Sequence, residues 1–221
     1  FLGAMTVTPY LKKMLTEKNH LNPDMLLVSG HLMEDEVKRY TYQNSIGVEH
    51  ASIEGRKVIS LFSVRGKREE KIQVFHYLYN VAEKNSNILL LVRLHPSEKE
   101  EDSVSIPVGL ENIRLIPYDF SNSKTTLYDQ LSISNLSICF GSTVALESTW
   151  FGVPCITVEK REESLIYAVD GKRIVKAEKL EDALFYKMLN NNQESEVKNK
   201  DVKVADFITN ILQGWIKNKN W

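Results

Sequence analysis

The chain contains 221 residues, with 28 Lys and Arg against 29 Asp and Glu, and 43% of its residues are hydrophobic. The formal net charge of −1 argues against the broad cationic field on which non-specific nucleic-acid binding depends, so no nucleic-acid partner is expected. The longest uninterrupted apolar run, residues 88–92, is far shorter than the ~20 residues that a membrane-spanning helix needs.

The first fifty residues are interpreted as two short segments that lie outside the main domain. Residues 1–5 resemble a protease-cleavage and cloning scar, and they lack the basic and apolar regions of a signal peptide. Residues 6–50 contain a helix-like stretch, a strand at 25–29 and a helix from about residue 33 to 42. We interpret residues 6–50 as the tail of a preceding Rossmann domain followed by a linker.

From residue 51 onward, short apolar runs alternate with amphipathic segments. The apolar runs predict strands at 58–63, 88–93, 113–116, 136–140, 155–158 and, more weakly, 173–175. Most of them lack period-2 alternation, which is typical of parallel strands covered on both faces. The segments between them predict helices at 69–84, 126–131, 143–151 and 180–189. This succession predicts an α/β domain over residues 51–190, a Rossmann-like parallel sheet flanked by helices.

The last thirty residues differ in composition from the α/β domain. Residues 191–201 form a polar run that we interpret as a linker. In residues 202–221, apolar side chains then recur with the period of an amphipathic helix. They are Val204, Phe207, Ile208, Ile211, Leu212 and Trp215.

The strand–helix junction near residue 141 carries the strongest indication of chemistry. The strand ends at Gly141, and either Ser142 or Thr143 can cap the helix that follows. Such a turn offers backbone N–H groups and a positive helix end at the carboxyl edge of the sheet, which suits a phosphate. Glu147, one turn further on, can accept hydrogen bonds from ribose hydroxyls. The alternative is that Ser142 only caps the helix and that Glu147 is a solvated surface residue.

Two other strand ends carry candidate phosphate ligands. His95 and Pro96 follow the strand at 88–93, and an imidazole there can stabilise a departing phosphate. Arg65, Gly66 and Lys67 follow the strand at 58–63 and combine cations with a residue that permits a tight turn. The alternatives are a loop histidine before a turn proline, and a solvated cationic loop.

These motifs resemble the nucleotide-binding half of glycosyltransferases with the GT-B fold. Glu147, Gly152 and Pro154 form Glu-x-x-x-x-Gly-x-Pro after the Gly-Ser-Thr turn. That segment is similar to the lipid II-forming N-acetylglucosaminyltransferase and to UDP-sugar hydrolases of pseudaminic acid synthesis. The His-Pro pair resembles bacterial sialyltransferases, polysialyltransferases, CDP-glycerol glycerophosphotransferases and UDP-N-acetylglucosamine 2-epimerases.

The resemblance implies a role for each of these segments. Glu147 would hold the nucleotide ribose, Gly141, Ser142 and Thr143 would face the phosphates, and His95 would contact the leaving-group phosphate. Backbone groups near Pro117 and Tyr118 would contact the base. The resemblance covers residues 51–190, the C-terminal half of a GT-B protein, and it implies a missing N-terminal domain or a partner subunit. The general base is not assigned, because it usually lies on the first domain.

The function implied is that of a donor-binding domain of a metal-independent glycosyltransferase with no other cofactor. It would move a sugar from a CMP- or UDP-sugar to a saccharide or lipid-linked acceptor, in building a surface polysaccharide. The alternatives are a sugar-nucleotide epimerase or hydrolase, and a non-catalytic nucleotide-binding or partner-docking module. The two cysteines, Cys139 and Cys155, lie in apolar runs and form no disulfide framework, which favours the cytoplasm, with peripheral attachment to the inner membrane face as an option.

Overall fold

A computed structural model describes residues 4–6, 8–43, 55–65, 69–98, 110–116, 123–159, 172–191, 206, 208–210 and 213. Its first unit is a pair of parallel strands, β1 (Ala4–Thr6) and β2 (Leu26–Val28), connected through helix α1 (Pro9–Glu17). Helix α1 begins where it does because the Thr8 hydroxyl accepts a hydrogen bond from the N–H of Leu11, at 3.0 Å, and Pro9 needs no donor.

The main sheet contains six strands, all parallel to their neighbours. They are β3 (Lys57–Phe62), β4 (Ile88–Arg93), β5 (Ile113–Ile116), β6 (Leu136–Cys139), β7 (Cys155–Val158) and β8 (Ile174–Ala177). Their spatial order is β5-β4-β3-β6-β7-β8, the 3-2-1-4-5-6 order of a Rossmann sheet. The direction of winding therefore reverses between β3 and β6, and the predicted Rossmann-like parallel sheet is confirmed.

Helices cover both faces of this sheet. They are α2 (Met33–Gln43), α3 (Glu69–Lys84), α4 (Ser123–Ser132), α5 (Val144–Trp150) and α6 (Asp182–Leu189). Phe75 of α3 and Phe185 of α6 are fully buried against Ile59 on one face. On the other face, α2, α4 and α5 bury Val37, Leu131 and Ala145 in a second core. Burial on both faces explains why the strands lack alternation in the sequence.

Some elements differ from the sequence prediction at their ends. Strand β1 was not predicted, and it includes Ala4 and Met5 from the segment interpreted as a scar. Helix α4 begins three residues earlier than predicted, and β8 ends at Ala177 instead of residue 175. Residues 206, 208–210 and 213 are helical, while most of the predicted C-terminal helix lies outside the described residues. The proposed domain boundaries, including the scar, remain predictions.

In the part of the chain that the structure describes, no helix combines the length and apolar character needed to cross a membrane. The neighbouring strands β6 and β7 carry Cys139 and Cys155, both buried and free, with their sulfurs 3.7 Å apart. Burial raises the pKa of the Cys155 thiol well above its usual range.

Candidate functional site

A pocket of about 270 Å³ opens at the carboxyl edge of the main sheet. It lies where β3, β4 and β6 end, beside the point at which the sheet reverses its winding, and open α/β sheets bind ligands at this place. It is lined by the last residues of β3 and β4, by residues that follow β3, β4 and β6, by two residues of α5 and by one residue of α4. The lining residues are Phe62, Ser63, Arg93, Leu94, His95, Pro96, Leu127, Ser142, Thr143, Val144 and Glu147.

The pocket brings together five of the residues singled out in the sequence. They are His95, Pro96, Ser142, Thr143 and Glu147. Arg65 is exposed on the loop after β3 and does not line the pocket. Gly66, Lys67, Pro117 and Tyr118 lie outside the described residues, so their predicted contacts with a nucleotide remain predictions.

Gly141 shapes the turn after β6 without lining the pocket. Its φ of +62° is a conformation that L side chains rarely adopt. Its N–H donates to the Thr157 hydroxyl at 3.0 Å, so this amide is already used within the protein. A Cβ at this position would lie 2.8 Å from Oε2 of Glu159. Gly141 therefore sets the path of the turn, and its amide is not a free donor. The predicted contact of Gly141 with a phosphate remains a prediction.

Two further amides of this turn have different surroundings. The backbone N–H of Ser142 lies near the buried thiol of Cys139 and lowers its pKa. The Ser142 hydroxyl accepts a hydrogen bond from the N–H of Val144 at 3.3 Å, whereas Thr143, the N-cap residue of α5, makes no hydrogen bond to the helix through its side chain. Among the described residues, no acceptor meets the N–H of Thr143. The N–H of Thr143 is thus available as a donor to a ligand.

The imidazole of His95 is held through one of its nitrogens. Nδ1 accepts a hydrogen bond from the backbone N–H of Ser97 at 3.2 Å, and the Ser97 hydroxyl lies 2.8 Å from the same atom. Because a backbone N–H can only donate, Nδ1 must be an acceptor, and the neutral ring carries its proton on Nε2. No described residue bonds Nε2, so the ring of His95 presents an N–H donor at the pocket wall.

A buried ion pair lies behind His95. Oε2 of Glu98 accepts a hydrogen bond from the backbone N–H of His95 at 2.9 Å. The backbone N–H of Glu98 donates a hydrogen bond to the carbonyl oxygen of His95 at 2.8 Å. Oε1 of Glu98 pairs with the ammonium of Lys71 in α3. These bonds close the turn that carries His95.

The pocket is lined by side chains of both charges. Arg93, the last residue of β4, is only 5% exposed and contributes a guanidinium beside His95. Glu147 is 6% exposed and contributes a carboxylate from α5. Burial raises the pKa of the nearby Tyr128, and the negative charges of Glu147 and Glu36 raise it further. The residues that line the pocket therefore include a cationic donor, Arg93, a neutral N–H donor, His95, and an anionic acceptor, Glu147.

Sequence reasoning missed two polar lining residues, Arg93 and Ser63. Arg93 appeared only as the end of an apolar strand, although a buried cation at the carboxyl end of a parallel strand is itself a signal for an anion site. The Ser63 hydroxyl is buried, and within the described chain no group bonds it. The apolar lining residues Phe62, Leu94 and Leu127 carry no signal that separates them from the core.

Within the described residues, no group of three or more His, Cys, Asp or Glu side chains is arranged to hold a metal ion. The expectation that no metal is used remains a prediction.

No protein-family model matches the sequence, and a search of curated proteins finds no match either. The structure, however, is similar to several solved proteins. UDP-GlcNAc 2-epimerase from Neisseria meningitidis, bound to UDP-GlcNAc, matches with a TM-score of 0.67 at 15% identity, over 94% of this chain and 59% of that one. The Methanocaldococcus jannaschii UDP-GlcNAc 2-epimerase, in complex with UDP-GlcNAc and UDP, matches with a TM-score of 0.70 at 16% identity, over 96% of this chain and 61% of that one.

A glycosyltransferase of kitacinnamycin also matches, with a TM-score of 0.53 at 9% identity, over 98% of this chain and 51% of that one. The fold is that of the C-terminal half of GT-B proteins. This chain spans about three fifths of the length of the two epimerases. At these identities, the similarity shows the fold alone.

Proposed function

We propose that this chain is the donor-binding part of an enzyme that acts on a nucleotide-activated sugar. The observation that carries the proposal is a single pocket at the reversal point of a parallel sheet, lined by Arg93, His95, Thr143 and Glu147. Three of these four residues were selected in the sequence as contacts to a phosphate or a ribose, and the fold brings them together.

The charge distribution of the pocket supports this class of ligand. Arg93, the Nε2–H of His95 and the N–H of Thr143 are donors suited to phosphate oxygens. The carboxylate of Glu147 accepts hydrogen bonds, and the two neighbouring hydroxyls of a ribose can donate to it. A nucleotide presents both kinds of group, an anion and a diol, a few ångströms apart. A simple anion would leave Glu147 facing a like charge.

In the proposed mechanism, this domain stabilises the departing nucleotide. When the bond between the sugar and the phosphate breaks, negative charge grows on the phosphate oxygen. Arg93 and His95 meet that charge with preformed donors, which lowers the barrier more than it strengthens substrate binding. The general base and the acceptor are assigned to no residue of this chain, and no step requires a metal or other cofactor.

We infer glycosyl transfer from a CMP- or UDP-sugar to a saccharide or lipid-linked acceptor as the reaction, with surface polysaccharide as the product. Epimerisation of a UDP-sugar is the second candidate, because two of the similar structures are UDP-GlcNAc 2-epimerases. The two reactions share the departing nucleotide and differ in what then happens to the sugar. In the transfer reaction, a second domain or subunit presents the acceptor.

Calorimetric titration with CMP, CDP, UDP and UDP-GlcNAc tests the proposal. We expect one nucleotide to bind with a stoichiometry of one and with an affinity that falls as salt rises, because the contacts are charged. Tighter binding of UDP-GlcNAc than of UDP would favour the epimerase candidate, whereas a preference for a cytidine nucleotide would favour transfer from a CMP-sugar. No measurable binding of any of the four would contradict the proposal.

Glu147→Gln is the variant that tests the ribose contact. It keeps the shape of the side chain and removes its charge, so we expect nucleotide affinity to fall by about 1–3 kcal/mol, the cost of lost charge-assisted hydrogen bonds. Glu83→Gln is the matched control, because Glu83 is exposed near the C-terminal end of α3 and does not line the pocket. Equal affinity of the Glu147 variant and the control would show that Glu147 does not hold the ligand.

A further inference from the structure

Lys71 and Glu98 form an ion pair that is almost completely removed from solvent. Their side chains are 2% and 1% exposed, and they come from two different elements, the first turn of α3 and the loop after β4. Lys71 also approaches the carbonyl of Val64 in the loop after β3, at 3.5 Å. One ammonium group therefore ties together two of the loops at the pocket edge.

Stability alone does not account for such a pair. Removing two charges from water is costly, and well-packed apolar side chains of similar volume often stabilise a protein as well or better. A buried pair does fix the positions of its two side chains. Separating them would leave each charge buried without a partner, which is strongly unfavourable. Here the geometry that it fixes is that of the turn carrying His95, because both oxygens of Glu98 are engaged, Oε1 with Lys71 and Oε2 with the N–H of His95.

We propose that Lys71 and Glu98 are positioning residues for His95. The pair holds the backbone of residues 95–98 in the one conformation that lets the Ser97 N–H reach Nδ1 of His95. That hydrogen bond fixes the tautomer, and the tautomer places the Nε2–H toward the pocket. A hydrogen bond from this Nε2–H to a nucleotide phosphate rests on the proposed function, whereas the positioning of the His95 ring does not.

Two double variants separate positioning from stability. Lys71→Met/Glu98→Leu removes both charges and also the acceptor for the His95 N–H. Lys71→Met/Glu98→Gln removes the same charges but keeps an oxygen that can accept this bond. Neither variant buries an unpaired charge, so both are expected to fold. The difference between them isolates the hydrogen bond that closes the turn.

The decisive measurement is the pair of imidazole ¹⁵N chemical shifts of His95, recorded at about pH 8.5, where an ordinary imidazole is neutral. The parent and the Met/Gln variant are expected to show the shifts of a pure Nε2–H tautomer. The Met/Leu variant is expected to show shifts averaged between the two tautomers. Parent-like shifts in the Met/Leu variant would overturn the inference.

Nucleotide titration provides the functional readout. We expect affinity for the tightest nucleotide to fall about tenfold in the Met/Leu variant and about twofold or less in the Met/Gln variant, as loss of one charge-assisted hydrogen bond would cause. If the parent protein binds no nucleotide, the proposed function fails, yet the ¹⁵N comparison still decides whether the pair positions His95.

If the Lys71→Met/Glu98→Leu variant does not fold, a measurement on the unaltered protein tests the inference instead. The N–H of His95 should then exchange with solvent far more slowly than an unprotected amide, because a buried carboxylate accepts it. Exchange of this amide at the unprotected rate would overturn the inference without any substitution.

Discussion

At the scale of single residues, the site depends on side chains placed immediately after strand ends. His95 and Ser142 could be predicted because each follows an apolar strand, and Glu147 because it lies one turn into the helix after Gly141. The buried partners of these residues could not be predicted. Nothing in the sequence near Lys71 or Glu98 shows that their side chains meet, since the pairing depends on how α3 packs against the sheet.

Gly141 offers a test at this scale. Gly141→Ala forces a Cβ into a positive-φ turn and against the Glu159 carboxylate, which must move and release the Thr157 hydroxyl. We expect the free energy of unfolding, measured by urea denaturation, to fall by about 1–2 kcal/mol.

Gly55→Ala is the control for Gly141→Ala. Gly55 has a φ of +77° and nothing within 4 Å of the added Cβ, so this variant carries the backbone strain without the contact. Its loss of stability should be about 1 kcal/mol or less. Equal losses in the two variants would mean that the Glu159 carboxylate moves without cost.

At the scale of helices and strands, most of the main sheet could be predicted and the N-terminal unit only partly. Strands β3, β4 and β6 are apolar because both of their faces are covered, and this property is visible in the sequence. Strand β1 has only three residues, too few for any periodicity. Helix α4 extends to Ser123 through polar residues that carry no helical pattern, so its start was placed too late.

The order of the strands predicts how the sheet opens. Strand β3 is paired on both sides and its residues Val58, Ile59 and Leu61 are fully buried, whereas β5 and β8 lie at the ends of the described sheet. In native-state hydrogen exchange, we expect the amides of β3 to exchange most slowly and those of β5 and β8 to exchange first. Exchange from β3 at the rate of β8 would show that the sheet does not open from its edges.

At the scale of the whole molecule, the fold follows from the sequence more directly than the function does. A run of alternating strands and helices leads to a parallel sheet, and the reversal of winding then creates a pocket at a known edge. The proposed function depends in addition on side chains, such as His95 and Glu147, that only the tertiary fold brings together. The similar epimerases are also longer than this chain.

Tyrosine burial predicts the response of the whole molecule to alkaline pH. Burial raises the pKa of Tyr79 to about 12, and the pKa values of Tyr40, Tyr77 and Tyr128 are raised as well. The unfolded chain loses these protons near pH 10, whereas the folded protein keeps them. These tyrosines should therefore leave stability unchanged below about pH 10 and reduce it above that pH. The loss should reach up to ~1.4 kcal/mol per pH unit for each of the buried Tyr79 and Tyr128, and less for the partly exposed Tyr40 and Tyr77.

Tyr128→Phe tests this dependence. The Tyr128 hydroxyl is buried and meets no hydrogen-bonding partner among the described residues. At pH 7, the variant should be as stable as the parent or up to about 1 kcal/mol more stable, because no bond is lost. Above pH 10, its free energy of unfolding should decline less steeply in urea titrations. If the free energy of unfolding fell with pH as steeply in the variant as in the parent, Tyr128 would be shown to ionise in the folded protein.

The crossovers on either side of β3 and β6 leave toward opposite faces of the sheet, and the gap between them exists whatever side chains border it. Because backbone layout creates this opening, its lining can be exchanged with little penalty to folding. Such a scaffold lends itself to laboratory evolution. Libraries confined to the loops after β3, β4 and β6, with Glu98 and Gly141 kept, would sample new ligand preferences while leaving both cores intact.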